Sequence, residues 1–524
     1  MSSTATRAAP RAARDTGLPW YHWSNLLPLY LYVAALVLAT LHLPNNVWNP
    51  RTQQVLAGLG LIGLWRYGWW AVHLVRAKWF THRVYPRERA AADALWAGGW
   101  RPQRLYFMMT TFKEAPDITR AVLRSIVDEC RRARLPAQLF VGTGSHFDEA
   151  VIDGYLQEID GHRWLEVVLV RQSAPGKRMA IGAALRAMAR RGIRGDDPVV
   201  FMDGDAILER DCLSRCLSLM GLDPQLRALT TNEKALVRGP DWIQDWLDLR
   251  FAQRDLGMRS HALSRKVLTL TGRLSVFRAG DVTRRDFIRL IESDHLDHWL
   301  WGRFRFLSGD DKSTWYWLLQ RGADMTYVPD AMVYTIEKVG DSAFDYVKQT
   351  LLRWSGNMMR NGARAMALGP RRVGPFIWWC IVDQRIAVWT SLVSPAVALS
   401  TALFVTPTFL VVYVLWIATT RFITSLVLFG HGRRVNLRFP FLLYAGQLLN
   451  ASLKVYIWFR LPKQRWKNRG NQRARQGQGG VWALRNAAAF LLTTLAVAAL
   501  LFFVMTYIGS LRLPDQHVWH DLLH

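Results

Sequence analysis

Asp203-Gly204-Asp205 closes an apolar run, Pro198-Val199-Val200-Phe201-Met202, that reads as a buried strand. Two carboxylates at i and i+2 on a strand's end can share one hard divalent cation with the diphosphate of a sugar nucleotide. Asp205 is the preferred metal ligand, with Asp203 nearer the ribose or on the same metal. About a hundred residues on, Gly309-Asp310-Asp311 sits in a loop before a helix-like stretch, Lys312 to Gln320. It supplies a carboxylate able to take a proton from a sugar hydroxyl. Adjacent side chains diverge, so the base is assigned to Asp311 and Asp310 is expected to fix the loop. The ordinary role of such acids is a helix N-cap, and one of the two can fill it at the same time.

Three further groups fit the same chemistry. Gly176-Lys177-Arg178 opens a helix after the strand Val167–Val170, and a helix N-terminus carrying Lys177 suits phosphate oxygens. Thr111-Phe112-Lys113-Glu114 follows the first strand of the series, which places Thr111 and Glu114 where an α/β fold grips a nucleoside. Gln349-Thr350-Leu351-Leu352-Arg353-Trp354 offers Arg353 to a diphosphate, Trp354 as a floor under an acceptor sugar, and Gln349 beside it. Singly each has a bland alternative, since a DGD is often a surface turn and an RW pair is often packing. Glu292, Asp294, His295, Asp297 and His298 imitate a metal cluster but fall in a loop this chemistry does not need, so no ion is expected there. Cys212 and Cys216 share a helix face without a second ligand pair, which argues against zinc and against a disulfide framework.

Residues 81–345 must position these groups. Leu105–Thr110, Gln138–Val141, Leu165–Val170 and the run before Asp203 read as strands. Ile118–Arg134, Ala150–Glu158 and Lys177–Arg190 read as the helices between them. Such alternation predicts a mostly parallel sheet with flanking helices and a ligand outside the strand C-termini. No GxGxxG or Walker A motif accompanies it, which excludes the usual dinucleotide and P-loop readings.

The flanks belong to a membrane. The chain has 524 residues, is 51% hydrophobic and carries a net charge of +27, with Arg outnumbering Lys about five to one. The basic residues flank apolar spans instead of forming a recognition module, so nucleic acid is not expected as a partner and the lipid bilayer is. Residues 1–24 read as a disordered basic N-terminus. Residues 25–80 read as a hairpin of two spans, Leu26–Leu43 and Val55–Val75, that returns to the cytoplasm at Arg76, Lys78 and Arg83. A cleavable signal peptide fits poorly, because the second apolar segment follows at once. Residues 346–387 read as interface helices, including Val373–Ile386, and 388–430 as two spans, Val388–Thr406 and Thr408–Phe429. Residues 431–480 read as an interface helix with a basic loop, and 481–524 as a last span, Ala487–Ile508, with a short outer tail. This gives five spans, or six if Phe439–Phe459 crosses; the seven Lys/Arg from Arg460 to Arg475 favour five. Arg66 and Arg421 lie mid-span and Arg385 at a span's entry. Such residues face a bundle interior or a wet cavity, and with few acids in the spans (Asp383 is a candidate partner for Arg385) they are expected to line an anionic product's path.

The order DxD, acidic pair, QxxRW resembles the processive family-2 glycosyltransferases, the membrane-embedded polysaccharide synthases that include cellulose and hyaluronan synthases. Within them the chain is most similar to the catalytic subunits of bacterial alginate (mannuronan) synthases, across roughly residues 25–475. Arg250-Phe251-Ala252-Gln253-Arg254, the run Val267 to Arg278 with Thr271-Gly272-Arg273, Gly302 to Ser313, and Tyr327-Val328-Pro329-Asp330-Ala331 carry that resemblance. It implies a GT-A-type domain, Mg²⁺ or Mn²⁺, and inverting transfer of mannuronate from GDP-mannuronate to a growing β-1,4-linked polyuronate. It also implies export across the bacterial inner membrane from a cytoplasmic catalytic domain. A related synthase using UDP-glucose, UDP-GlcNAc or GDP-mannose stays open as the alternative. The implied partners are a PilZ-type cyclic-di-GMP-binding subunit and periplasmic and outer-membrane export components. Arg465 and Arg469 have the RxxxR spacing of a PilZ domain, but no matching Asn/Asp-x-Ser-x-x-Gly follows, so the sensor is placed in a separate subunit. Trp466-Lys467-Asn468-Arg469 resembles a W-x-T-R gating loop with Asn468 in place of Thr.

Overall fold

The computed structural model describes residues 23–45, 49–172, 174, 176–429, 437–466, 472–474 and 479–511. Most of the basic N-terminus, Arg469 of the expected gating loop and most of the outer tail lie outside these residues. At the centre is a sheet built from β1 (Leu105–Thr110), β2 (Ala137–Thr143), β3 (Leu165–Arg171), β4 (Pro198–Asp203), β5 (Ala206–Leu208), β6 (Leu226–Arg238) and β7 (Leu274–Arg278). A small hairpin, β8 (His295–His298) and β9 (Gly302–Arg305), stands apart from it, and β10 (Asp324–Lys338) completes the eight strands. The strand order is β3-β2-β1-β4-β7-β6-β10-β5. All six residues of β1 are buried, as suits a parallel strand covered on both faces.

The first four strands pair in parallel, and their predicted positions agree with those observed to within two residues. The intervening helices are Pro116–Ala133, His146–Glu158 and Lys177–Arg190. Beyond β4 the sheet departs from simple alternation. β7 runs antiparallel between β4 and β6, β5 runs antiparallel along β10, and β6 and β10 pair in parallel. In β10, Pro329 cannot donate to a ladder, and the register shifts between Val328 and Met332.

Four described helices are long and apolar enough to cross a membrane: Pro50–Ala97, Pro375–Phe404, Phe409–Leu428 and Gly480–Tyr507. The first expected span falls on the shorter apolar helix Trp23–Leu41. Two expected boundaries are corrected. Pro50–Ala97 runs through residue 80 by way of a π-helical turn, Phe80–Val84, so a continuous helix joins hairpin and catalytic domain. The interface helix Val373–Ile386 and the span from Val388 are likewise one 30-residue helix, Pro375–Phe404. Asp383 and Arg385, two charged residues of this helix, are satisfied within the protein: Asp383 pairs with Arg66, and Arg385 donates to the Met359 carbonyl at 2.9 Å. Arg438–Trp458 packs against Pro375–Phe404, Phe409–Phe429, Ala343–Ala367 and Asp241–Ala262.

Candidate active site

The C-terminal ends of β1 and β4 form the floor of the site. Gly204 turns the chain there because its backbone N–H donates to the Thr110 carbonyl at 3.1 Å. A Cβ on Gly204 would stand 2.7 Å from that same oxygen, so no larger residue fits this turn. Asp203 thereby lines the cleft beyond the strand ends, and Asp205 follows it across the turn. The side-chain oxygens of Thr110 and Thr111 are buried nearby with no hydrogen-bond partner.

The second acidic motif arrives on a helix. Asp310–Gln320 starts two residues earlier than its sequence predicts, at Gly309 in the left-handed region (φ 87°). Both carboxylates thus occupy the first turn, where the partial positive charge of the helix N-terminus favours them. Asp310 is buried and Asp311 half-buried.

Lys177 joins the two motifs. Its Nζ lies 2.7 Å from Asp203 Oδ1 and 2.9 Å from Asp310 Oδ2. The residue expected on phosphate oxygens is therefore held by two carboxylates, because an ammonium this deeply buried requires counter-charge. Burial alone would lower the Lys177 pKa, but Asp203 and Asp310 raise it, so it stays charged. Burial would raise the Asp310 carboxyl, yet Lys177 and Arg178 hold it below the usual range. Asp311 is pushed the other way, upward, by burial and by the neighbouring charge of Asp310. The two acids thus differ as a fixed anion differs from a proton acceptor. Burial also lowers the Lys312 ammonium to about 8, and its Nζ is turned away to the Leu268 carbonyl.

Arg178, which had no assigned role, anchors the loop. It donates to the carbonyls of Ile291 and Ser308 and to Ser313 Oγ, each at 3.0 Å. Thr271-Gly272-Arg273 likewise carries no catalytic expectation from the sequence. A Cβ on Gly272 would lie 3.2 Å from Asp203 Oδ2 and 3.3 Å from Lys177 Nζ, so the glycine leaves the carboxylate face open. Arg273 bridges Glu233 (2.8 Å) and Glu337 (2.9 Å) and senses the charge of Asp205. Glu337 also accepts from Tyr346 at 2.9 Å, which ties the site to the helix Ala343–Ala367 carrying Gln349, Arg353 and Trp354. In the sequence these residues stand only inside longer motif strings, and nothing in their spacing fixes their roles.

Asp203, Lys177, Asp310, Asp311 and Gly272 line one cleft, and Thr111 borders Gly204 beside it. Trp354, Gln349 and Trp466 are not among the residues lining it. Trp354 is half-buried and stacks on Trp246 (6.3 Å, 8° between planes), with the Arg250 guanidinium over both rings. Gln349 donates to Asp345 at 3.3 Å. Trp466 is in a two-residue strand, Arg465–Trp466, paired with Gln472–Arg473. In the acid–histidine group near residue 295, Glu292, Asp294 and Asp297 pair with Arg186, Arg364 and Arg303.

A second cavity, of about 480 Å³, lies among the apolar helices. Arg66, Arg421, Gln253, Tyr413, Tyr444 and Gln447 are in its wall. Arg421 donates to Gln447 at 2.6 Å. Arg66 is paired with Asp383, the acid expected on Arg385; a mid-span guanidinium gains most from a carboxylate it can reach. Arg385 is not in this wall and lies against Trp458, 5.3 Å from the ring centre.

Residues 102–357 match the family described as "Glycosyltransferase like family 2". The chain is 35% identical over 479 residues to "Glycosyltransferase alg8" of Pseudomonas syringae pv. tomato, covering 90% of this chain and 97% of the relative. It is 33% identical over 482 residues to the protein of the same name from Azotobacter vinelandii, with the same coverage. Among solved structures, a Pyrobaculum calidifontis mannosyltransferase in complex with GDP-Man and Mn²⁺ aligns over 73% of this chain and 99% of its own at 18% identity and a TM-score of 0.42. That likeness is too distant to bear on the site.

Proposed function

The chain belongs to the glycosyltransferase family of these alg8 relatives, and from that premise we propose that it polymerises mannuronate from GDP-mannuronate. The product is a β-1,4-linked polyuronate, the precursor of alginate, made processively with inversion and passed across the inner membrane. The observation that carries this reading is the cleft in which Asp203, Lys177, Asp310 and Asp311 converge, in a chain whose apolar helices also enclose a cavity with Arg66 and Arg421 in its wall.

The chain's own residues divide the work. Asp311, with a raised pKa and an accessible edge, takes the proton from the acceptor hydroxyl as that oxygen attacks the anomeric carbon. Asp310 and Lys177 keep it aimed, and Arg178 fixes the loop that carries both acids. Thr111 and Glu114 flank the nucleoside, and Arg353 adds positive charge toward the diphosphate. Gln349 and Trp354 border the acceptor. Asp205 and Asp203 would hold Mg²⁺ or Mn²⁺. The orphaned Thr110 and Thr111 hydroxyls and the missing side chain at Gly272, which leaves the Asp203 face open, fit such an ion. When bound, it supplies charge that offsets the departing diphosphate.

Arg421, whose partner Gln447 is neutral, gives the membrane cavity a positive group that suits a polymer bearing a carboxylate on each sugar, while Arg66 lines the same wall with its charge offset by Asp383. Trp466 and Arg469 belong to the loop proposed to regulate entry to the cleft, under a separate PilZ-type subunit. The test is incorporation of label by purified protein in lipid nanodiscs supplied with GDP-mannuronate, UDP-glucose, UDP-GlcNAc or GDP-mannose. Polymer from GDP-mannuronate alone is expected; polymer from a neutral or amino sugar instead would overturn the donor assignment.

A further inference from the structure

Three soft or borderline metal ligands meet where the catalytic domain rests on the membrane helices. His73 comes from the first long helix, His261 from the end of the helix Asp241–Ala262, and Cys380 from the start of Pro375–Phe404. One ligand atom of each lies within 4.8 Å of the others. Cys380 and His261 are buried and His73 is half-buried. None of the three has a part in the transfer chemistry.

The local bonding is that of a site prepared for a cation. His73 Nδ1 is 2.9 Å from Ser260 Oγ, which leaves Nε2 facing the Cys380 sulfur at 3.9 Å. A hydrogen bond on one imidazole nitrogen is the usual device for aiming the other at a metal. With metal–sulfur and metal–nitrogen bonds of about 2.3 and 2.05 Å, a 3.9 Å separation corresponds to an angle of about 125° at the metal, near trigonal. His261 Nδ1 is buried without a hydrogen-bond partner, a state that ordinarily costs about 1–3 kcal/mol. The neighbouring Arg76 has partners outside the three ligands. Its guanidinium lies 3.7 Å from the Phe376 ring centre and donates to the Ser260 carbonyl and to Ser264 Oγ.

The geometry points to a structural site for a d¹⁰ cation, Zn²⁺ or Cu⁺, held by His73, His261 and Cys380. Two imidazoles and a thiolate suit both ions. A bound ion would clip the catalytic domain's helix to two membrane helices. Asp383, the partner of Arg66, lies one turn beyond Cys380 on the same helix, so the clip would also steady that ion pair in the cavity wall.

The test is elemental analysis of the full-length protein, purified in detergent through a tag without histidine. The wild type is expected to hold one Zn²⁺ or Cu⁺ per chain, and the element detected distinguishes the two. Cys380→Ala and His261→Ala should each lose it while eluting as the same monodisperse species. Reconstitution with Co²⁺ should give a thiolate-to-metal absorption band that is absent in Cys380→Ala, a readout independent of activity. Wild-type protein that holds no metal and takes up none from added Zn²⁺ or Cu⁺ overturns the proposal, as does a stoichiometry unchanged in both variants. Should Cys380→Ala aggregate, Cys380→Ser and His73→Gln replace it under the same criteria.

Discussion

Replacing Asp311 by Asn separates the two acids of the site. Asp310 is 8% exposed and bound to Lys177, whereas Asp311 reaches the cleft with no ion pair among the described contacts. Asn keeps the shape of Asp311 and removes a charge that repels Asp310, so folding and donor binding should be retained. What disappears is the proton acceptor, whose contribution is on the order of 10²–10⁴ in rate, or about 2.7–5.4 kcal/mol of barrier. Asp310→Asn should behave differently. It leaves the buried Lys177 ammonium with Asp203 as its remaining partner, and breaking such a pair costs about 3–5 kcal/mol of stability; the thermal midpoint and donor binding should fall together with turnover. The pH dependence follows from the raised pKa of Asp311. A base works when deprotonated, so activity should decline as pH falls through that raised value, at higher pH than for an ordinary aspartate near about 3.9. That acid limb should be absent from the residual activity of Asp311→Asn. The assays are polymer formation in nanodiscs across pH and donor binding by calorimetry. An Asp311→Asn enzyme turning over within about threefold of wild type, or one that keeps the acid limb, would refute the assignment.

Asp205→Ala is expected to weaken metal-dependent donor binding and to be partly rescued by higher Mg²⁺ or Mn²⁺; calorimetry indifferent to both the substitution and a chelator would dismiss the metal role. Gly272→Ala brings a methyl to 3.2–3.3 Å from Asp203 and Lys177, so KM for the donor should rise several-fold with a smaller change in kcat, and an unchanged KM would show the face is not used. Arg421→Leu, and Arg66→Leu paired with Asp383→Leu so that no buried carboxylate is stranded, should shorten or abolish secreted polymer while donor hydrolysis persists. Full-length polymer from the combined variant would eliminate the anionic path.

The early part of the catalytic domain was legible in the sequence because its signals are local. β1 to β4 are short apolar runs, and the helices between them carry their own start and stop residues, such as Pro116 at a first turn and Arg134 in the left-handed position that ends the same helix. Asp203-Gly204-Asp205 and Asp310-Asp311 were recognisable for the same reason: each is a contiguous motif at the end or start of an element. The apolar spans are read from composition, since a bilayer sets their length. What the sequence left open depends on partners far apart along the chain. β7 is five residues, and only its seat between β4 and β6 fixes its reversed direction. Lys177 is 133 positions from Asp310, and no local pattern says that a residue placed like a phosphate ligand is shared by two acids. The same holds for Asp383, which sits two residues from Arg385 yet pairs with Arg66 across the bundle. Burial drives each of these pairings, because a charge withdrawn from water takes the best counter-charge that packing brings within reach. Packing is a property of the folded chain, so motif and span belong to the sequence, whereas the pairing of charges belongs to the tertiary structure.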